Sequence, residues 1–239
     1  MKKYRNIIFD ADHTLIDFDA DERRAFYAAF SEAGIPAGEA EVEACWAYSA
    51  KNWNDLGLND VHLPEVQAGY HEMYLDHVRS LFDFVEKEYG LNGRRKEAQA
   101  RFMRELSAPS QPVEGALETV RALAGEYLIY IATNGLSAMQ RSRLSAFLPY
   151  LSGLFISEEM GAIKPTRAFF DKMLCGIGAD VGDCLMVGDS LSSDAAGAAA
   201  AGMDCVWFNR RGAARLEGLP LAGEIAALPQ LVDLLGGQK

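Results

Sequence analysis

The sequence predicts an α/β protein: a Rossmann-like parallel sheet core with an inserted α-helical domain. Three observations carry this. Short apolar runs rich in β-branched and aromatic residues recur at 4–9 (YRNIIF), 127–132 (YLIYIA), 154–157 (LFIS), 184–187 (CLMV) and 205–208 (CVWF). Helical patterns separate them, which is the alternation of βαβ units. Residues 18–107 break the rhythm, with helical patterns and no strand alternation across about ninety positions.

The first strand runs straight into Asp10-Ala11-Asp12-His13-Thr14. The insert then offers helices at roughly 20–33, 38–54, 64–89 and 94–106. Gly34-Ile35-Pro36, Leu58-Asn59-Asp60 and Gly90-Leu91-Asn92-Gly93 supply the breaks. So long a stretch is not a loop, and the expected organisation is a core of 1–17 and 108–239 around a helical domain of 18–107. In the core, 114–125 reads as a helix presenting Leu117, Val120 and Leu123, stopped by Gly125. Pro165 is placed in the first turn of a helix whose apolar stripe is Phe169, Phe170, Met173 and Leu174. The alanine-rich stretch 194–202 suits close packing on the sheet, and 229–235 reads as a final helix.

Composition narrows the partners. The 239 residues are 49% hydrophobic and 24% charged, ordinary for a globular protein with a sizeable core. A formal charge of −11 repels long polyanions, so nucleic acid polymers and anionic membranes are not expected partners, whereas a small phosphorylated metabolite is. No run approaches the roughly 20 apolar residues of a membrane span, and the N-terminal apolar run is too short for a signal peptide. Cys45, Cys175, Cys184 and Cys205 lack metal-ligand spacing, so reduced thiols in a cytoplasmic protein are expected. No GxxxxGK[ST] loop is present, which argues against a P-loop hydrolase.

Ligands of parallel α/β sheets bind beyond the carboxyl ends of the strands, and there the sequence gathers its chemistry. Asp10 and Asp12 straddle the end of the first strand. One carboxylate there can attack phosphorus while the second moves the proton, although the same pattern also suits an Asp-rich capping turn. Thr133 can donate its hydroxyl to phosphate, and Thr-Asn-Gly is also an ordinary turn. Lys164, just ahead of a helix N-terminus, can neutralise phosphate and fix the nucleophile, or be a surface lysine. Asp189 and Asp194 end the fourth strand and suit magnesium, an ion that prefers oxygen ligands. Ser193 or Asp194 can also cap the following helix.

Taken in order, IIFDADHTL, YIATNG, the Lys-Pro at 164–165 and MVGDSLSSD resemble the haloacid-dehalogenase superfamily of hydrolases. The match covers about 150 residues of core, and the helical insert lies where that family carries its first-type cap domain. The resemblance implies Asp10 as nucleophile and Asp12 as acid/base. It implies magnesium held by Asp10, Asp189 and the backbone carbonyl of Asp12, with Asp194 in support. Thr133, Asn134 and Lys164 would hold phosphate. Haloacid dehalogenases proper lack the second aspartate, so Asp12 favours phosphoryl transfer. The wording of the motifs is most similar to the branch of nucleoside 5′-monophosphate phosphatases acting on pyrimidine and related nucleotides.

His13 replaces the glycine common in the superfamily and is expected to serve the local turn. Of the insert's aromatics (Phe18, Trp46, Tyr48, Trp53, Tyr70, Tyr74, Phe82, Phe84), one or two could stack on a base, and most are expected in helix packing. His62, His71 and His77 share no metal-ligand spacing and receive no role. The competing readings are a sugar-phosphate phosphatase or phosphomutase on the same core, and a non-catalytic phosphate-binding regulator. Retention of Asp10, Asp12 and Asp189 argues against the last.

Overall fold

In a computed structural model, described over residues 3–236, the chain forms two compact units. One runs to Asp17 and resumes at Gln111; the other is Phe18–Ser110. The helical unit ends at Ser110 rather than 107, because Ala108 to Ser110 go with it.

That unit contains α1 (Phe18–Ala33), α2 (Glu39–Asp55), α3 (Pro64–Tyr89) and α4 (Arg95–Leu106). Helix α1 buries Ala25, Phe26, Ala29, Phe30 and Ala33, a spacing of three and four that makes one apolar stripe. It meets α4 through Phe26 and Phe102, whose ring centroids are 5.0 Å apart, and Phe82 of α3 reaches the same ring at 5.4 Å. Pro64 opens α3, where its missing N–H has no helical partner to lose. Most of the other aromatics pack on each other. Tyr48 stacks on Phe84 at 4.0 Å, Trp53 meets Tyr70 and Tyr74 edge-on, and Arg23 lies over Trp46.

A buried polar chain also crosses this unit. Asn52 Nδ2 donates to His77 Nδ1 (2.9 Å), which leaves the ring proton on Nε2, 3.2 Å from Ser49 Oγ. Ser49 Oγ then donates to Glu22 Oε1 at 2.6 Å. His77 is thus a satisfied interior histidine.

The other unit is a six-stranded parallel sheet. Its strands are β1 (Asn6–Phe9), β2 (Leu128–Thr133), β3 (Gly153–Ile156), β4 (Cys184–Gly188), β5 (Asp204–Phe208) and β6 (Gly223–Ile225), in the order β3-β2-β1-β4-β5-β6. Period-two alternation splits the core. Ile7, Phe9, Ile131, Val187 and Val206 face α5 (Ala116–Leu123) and α10 (Pro229–Gly236). Ile8, Ala132, Met186 and Cys205 face α8 (Arg167–Ile177) and α9 (Ala196–Ala201). Two short helices, α6 (Ser137–Arg143) and α7 (Ser157–Met160), follow β2 and β3.

Several expectations are corrected. Strand β6 was not anticipated, because Gly-Glu-Ile is too short and mixed to register as a strand. Ser157 starts α7 instead of ending β3. Pro165 lies ahead of α8, whose cap is Thr166: the Thr166 hydroxyl accepts from Phe169 N at 3.2 Å. Gly115 takes φ 75°, so the helix expected from 114 begins at Ala116. Three of the four free cysteines are buried and Cys175 is exposed. Among the described residues no helix is long and apolar enough to cross a membrane.

The polar chain makes a stability prediction. Burial, first of all, pushes Glu22 up to about 7 and His77 down to about 4. A folded carboxyl with a raised pKa keeps its proton where the unfolded one has lost it. Glu22's contribution is therefore complete below its ordinary value of 4.5 and is lost as pH rises through about 7. His77 acts oppositely, losing its contribution as pH falls from 6.5 towards 4. Glu22→Gln retains the acceptor for Ser49 and removes the titration. Between pH 5 and 8 its stability relative to wild type should rise by roughly 2 to 3 kcal/mol in urea denaturation. A pH-independent difference would contradict this wiring.

Candidate active site

The strand order reverses between β1 and β4, the crevice where doubly wound sheets bind ligands. Register aligns Phe9 with Val187, so Asp10, just past β1, falls beside Gly188, the last residue of β4, with Asp189 next in the chain. Asp10 N–H donates to Val187 O at 2.8 Å. The chain then turns sharply, with Leu15 and Ile16 both donating to Ala11 O. His13 takes φ 61° in this turn, the left-handed backbone for which glycine is best suited.

The turn returns Thr14, fully buried, to the site. Its hydroxyl lies 3.5 Å from Asp10 Oδ2 and 3.3 Å from Asp189 Oδ1, and accepts from Asp189 N at 3.1 Å. Trp207 of β5 donates to Asp189 O at 2.8 Å, fixing the same backbone from the other side.

Lys164 is not a surface lysine. It is 1% exposed, and its Nζ donates to Asp10 Oδ1 (2.5 Å), Asp194 Oδ1 (2.7 Å) and Ala132 O (2.8 Å). All three ammonium donors are engaged. Burial alone would lower its pKa, but Asp10 and Asp194 more than reverse this and hold it above the usual lysine range. For Asp10, burial raises the pKa, Lys164 pulls it back, and Asp194 and Asp189 push it up again, leaving it well above the usual carboxylate range. Burial and then Asp194 bring Asp189 up to about 6, against the pull of His13 and Lys164.

Asp194 is fully buried and accepts from Ser190 N at 3.1 Å through Oδ2. The expected cap at Ser193 or Asp194 is corrected: Ser190 Oγ accepts from Ser193 N and starts a widened turn over Leu191–Ala195 ahead of α9. Carboxylate oxygens of Asp10, Asp189 and Asp194 lie within 4.8 Å of one another. An all-oxygen, multiply anionic donor set of this kind fits a hard divalent cation such as magnesium.

Asp12, Thr133 and Asn134 are placed around this cluster. Asp12 Oδ2 accepts from Gln140 Nε2 (2.8 Å) and Oδ1 from Arg143 Nη1 (2.6 Å). Thr133, buried at the end of β2, accepts from the same Gln140 Nε2 at 2.7 Å. The Asn134 side chain is also placed against Lys164. It donates to Lys164 O (2.9 Å) and accepts from Lys164 N (2.8 Å), clamping the lysine backbone. Thr14 was legible as the last letter of DADHT but received no role. Gln140 and Arg143 carried no motif signal.

A parallel sheet with a cluster of carboxylates and one buried ammonium at its switch point places the chain among doubly wound α/β proteins whose charged groups gather at the strand ends. The family model for haloacid dehalogenase-like hydrolases matches residues 4–202, and the chain belongs to that family. It is 31% identical over 212 residues to pyrimidine 5′-nucleotidase PynA of Streptococcus pneumoniae, covering 86% of this chain and 84% of that one. It is 30% identical over 236 residues to pyrimidine 5′-nucleotidase YjjG of Escherichia coli, covering 98% of each. The crystal structure of the HAD-hydrolase YfnB of Bacillus subtilis bound to magnesium aligns with TM-score 0.82 at 27% identity, over 98% of this chain and 99% of that one.

Gly188 makes the geometry of Asp194 testable. A Cβ there would lie 2.2 Å from Asp194 Oδ2, so Gly188→Ala must displace the carboxylate that Lys164 holds. A loss of about 1–3 kcal/mol in chemical denaturation is expected from the overpacking. An unchanged midpoint would mean that Asp194 moves aside without cost.

Proposed function

We propose that this enzyme is a magnesium-dependent phosphomonoesterase acting on nucleoside 5′-monophosphates, through an aspartyl-phosphate on Asp10. The observation that carries the reading is the charge balance at the strand ends. Asp10, Asp189 and Asp194 face one ammonium, that of Lys164. With all three carboxylates ionised the largely buried cluster would carry two excess negative charges, which one divalent cation would neutralise; with no cation, burial and mutual repulsion raise Asp10 and Asp189 instead.

In this reading Asp10, Asp189 and the backbone carbonyl of Asp12 hold magnesium, and Asp194 supports the set. The bound ion would offset the charge of the phosphate and of the carboxylates around it. Lys164 draws Asp10 toward the ionised form, an effect the bound ion would reinforce, and aims it at phosphorus. Asp10 attacks, the P–O bond to the leaving group breaks, and Asp12 gives that oxygen its proton. Asp12 then takes a proton from the water that releases phosphate from Asp10. Thr133 holds a phosphate oxygen, and Asn134 serves by fixing Lys164. The helical unit is the cap of the family. A pyrimidine nucleotide is favoured as substrate because PynA and YjjG, both named for that activity, match most of the chain.

Magnesium should raise the melting temperature as well as support turnover, since a ligand bound only by the folded state stabilises it. Both effects should vanish in Asp189→Asn. Turnover persisting in excess chelator, with the metal content shown to be nil, would exclude this site. A panel of nucleoside monophosphates and sugar phosphates settles the substrate class, and preference for the sugars would overturn the nucleotide assignment.

Asp10→Asn should abolish phospho-enzyme and turnover alike. Asp12→Asn should lose about 10²–10⁴-fold in turnover, the usual worth of general acid–base help. It should lose less in the first step with p-nitrophenyl phosphate, whose leaving group needs little protonation, and it should accumulate phospho-enzyme. Rapid-quench mass spectrometry reads both. A full-strength adduct on the Asp10→Asn protein would name a different nucleophile.

A further inference from the structure

We propose that Gln140 and Arg143 of α6 are positioning residues for Asp12, fixing the plane of its carboxylate and tying it to the hydroxyl of Thr133. The inference rests on the reading of Asp12 as acid and base. The two residues are three apart, so a single helix face presents both. Each is 1% exposed, whereas the Asp12 side chain is 26% exposed. Arg143 is permanently charged, and its Nη1 donates both to Asp12 Oδ1 and to Gln140 Oε1, at 2.6 and 2.9 Å. Gln140 Nε2 donates to Asp12 Oδ2 and to Thr133 Oγ1, at 2.8 and 2.7 Å.

Both oxygens of Asp12 thus accept from donors on one rigid element, and that fixes the rotation of the carboxyl group. A buried guanidinium facing a partly wet carboxylate is a poor device for stability, because an apolar side chain would fill the space at no desolvation cost. Its use here is orientation. Asp12 must meet first the leaving oxygen and then the attacking water, and a side chain at the mouth of a crevice would otherwise turn freely. The shared Gln140 amide sets Asp12 and Thr133 at a fixed separation.

The test uses the full chain loaded with magnesium. Arg143→Met and Gln140→Leu are each made in the wild type and in the Asp12→Asn background, and kcat and KM are measured with a nucleoside monophosphate and with p-nitrophenyl phosphate. In the wild-type background each should lower kcat for the nucleotide by about 10- to 100-fold, part of what acid–base help supplies. KM should stay nearly constant, and p-nitrophenyl phosphate should lose less. In the Asp12→Asn background neither should cost more than about threefold further, because the group they orient is already gone. Arg143→Lys, which keeps a donor, should recover part of the loss. An equal fold-loss in both backgrounds, or an equal loss on both esters, overturns the proposal by making the pair merely structural. Should Arg143→Met fail to fold, Gln140→Leu answers alone, since it removes no charge. Full activity of Asp12→Asn would instead overturn the role of Asp12, and this inference with it.

Discussion

The buried ammonium of Lys164 is the interaction on which the core's reactive end depends. A lone charge taken out of water costs several kcal/mol, and here three acceptors from three separate strand ends offset it. Asp10 follows β1, Ala132 belongs to β2, and Asp194 lies on the turn after β4. One cation therefore ties together segments that hydrogen bonds of the sheet hold only up to their last residues. Asn134 secures the arrangement from behind, binding the lysine's own N–H and C=O. Without Lys164 the same strand ends would bring like charges together with nothing between them.

Packing and electrostatics meet at Gly188 and Gly197. A side chain at Gly188 would occupy the place of the Asp194 carboxylate, and one at Gly197 would strike Phe170 at 2.3 Å. Both glycines permit close approach rather than unusual backbone angles. The first brings the fully buried Asp194 carboxylate against the strand end, and the second brings α9 down onto Phe170 of α8. Low polarity then strengthens each interaction of the lysine and also sharpens the repulsion among the carboxylates. The site is consequently tense, with Asp10 and Asp189 both displaced upward from the usual carboxylate range.

How much of this was legible depended on whether a residue's signal was local. Asp10, Asp12, Thr133 and Asp189 end or follow apolar runs, so the strand pattern alone delivered them to one edge of a sheet. The four helices of the insert were visible within a few residues because their stripes are long. Lys164 could be placed beside the site but not inside it, since its partners lie 154 and 30 positions away in the chain. Gln140 and Arg143 lie in α6, a seven-residue helix that was not anticipated from the sequence. Only the fold reveals that their face turns inward. Asn134 shows the reverse: its motif was plain, yet the hydrogen bonds of its side chain to the Lys164 backbone were not to be read from it.

The two units bury polar groups by opposite means, and the contrast separates structure from chemistry. In Phe18–Ser110 the chain from Asn52 through His77 and Ser49 to Glu22 is satisfied by neutral groups. Burial has moved both pKa values, so that the histidine is neutral at neutral pH and the carboxyl holds its proton until pH rises to about 7. Such a chain can relax by shifting protons and needs no partner from outside. In the core the pull is divided: burial and neighbouring carboxylates raise Asp10 and Asp189, while Lys164, which keeps its proton, draws both back toward the ionised form. Protonating one carboxylate would weaken the tie that holds three strand ends in place. Three carboxylates are therefore gathered at the sheet's switch point around one ammonium, by the same contacts that hold the strand ends together. The charged cluster stands where doubly wound sheets bind ligands, whereas the chain from Asn52 to Glu22 lies in a helical core.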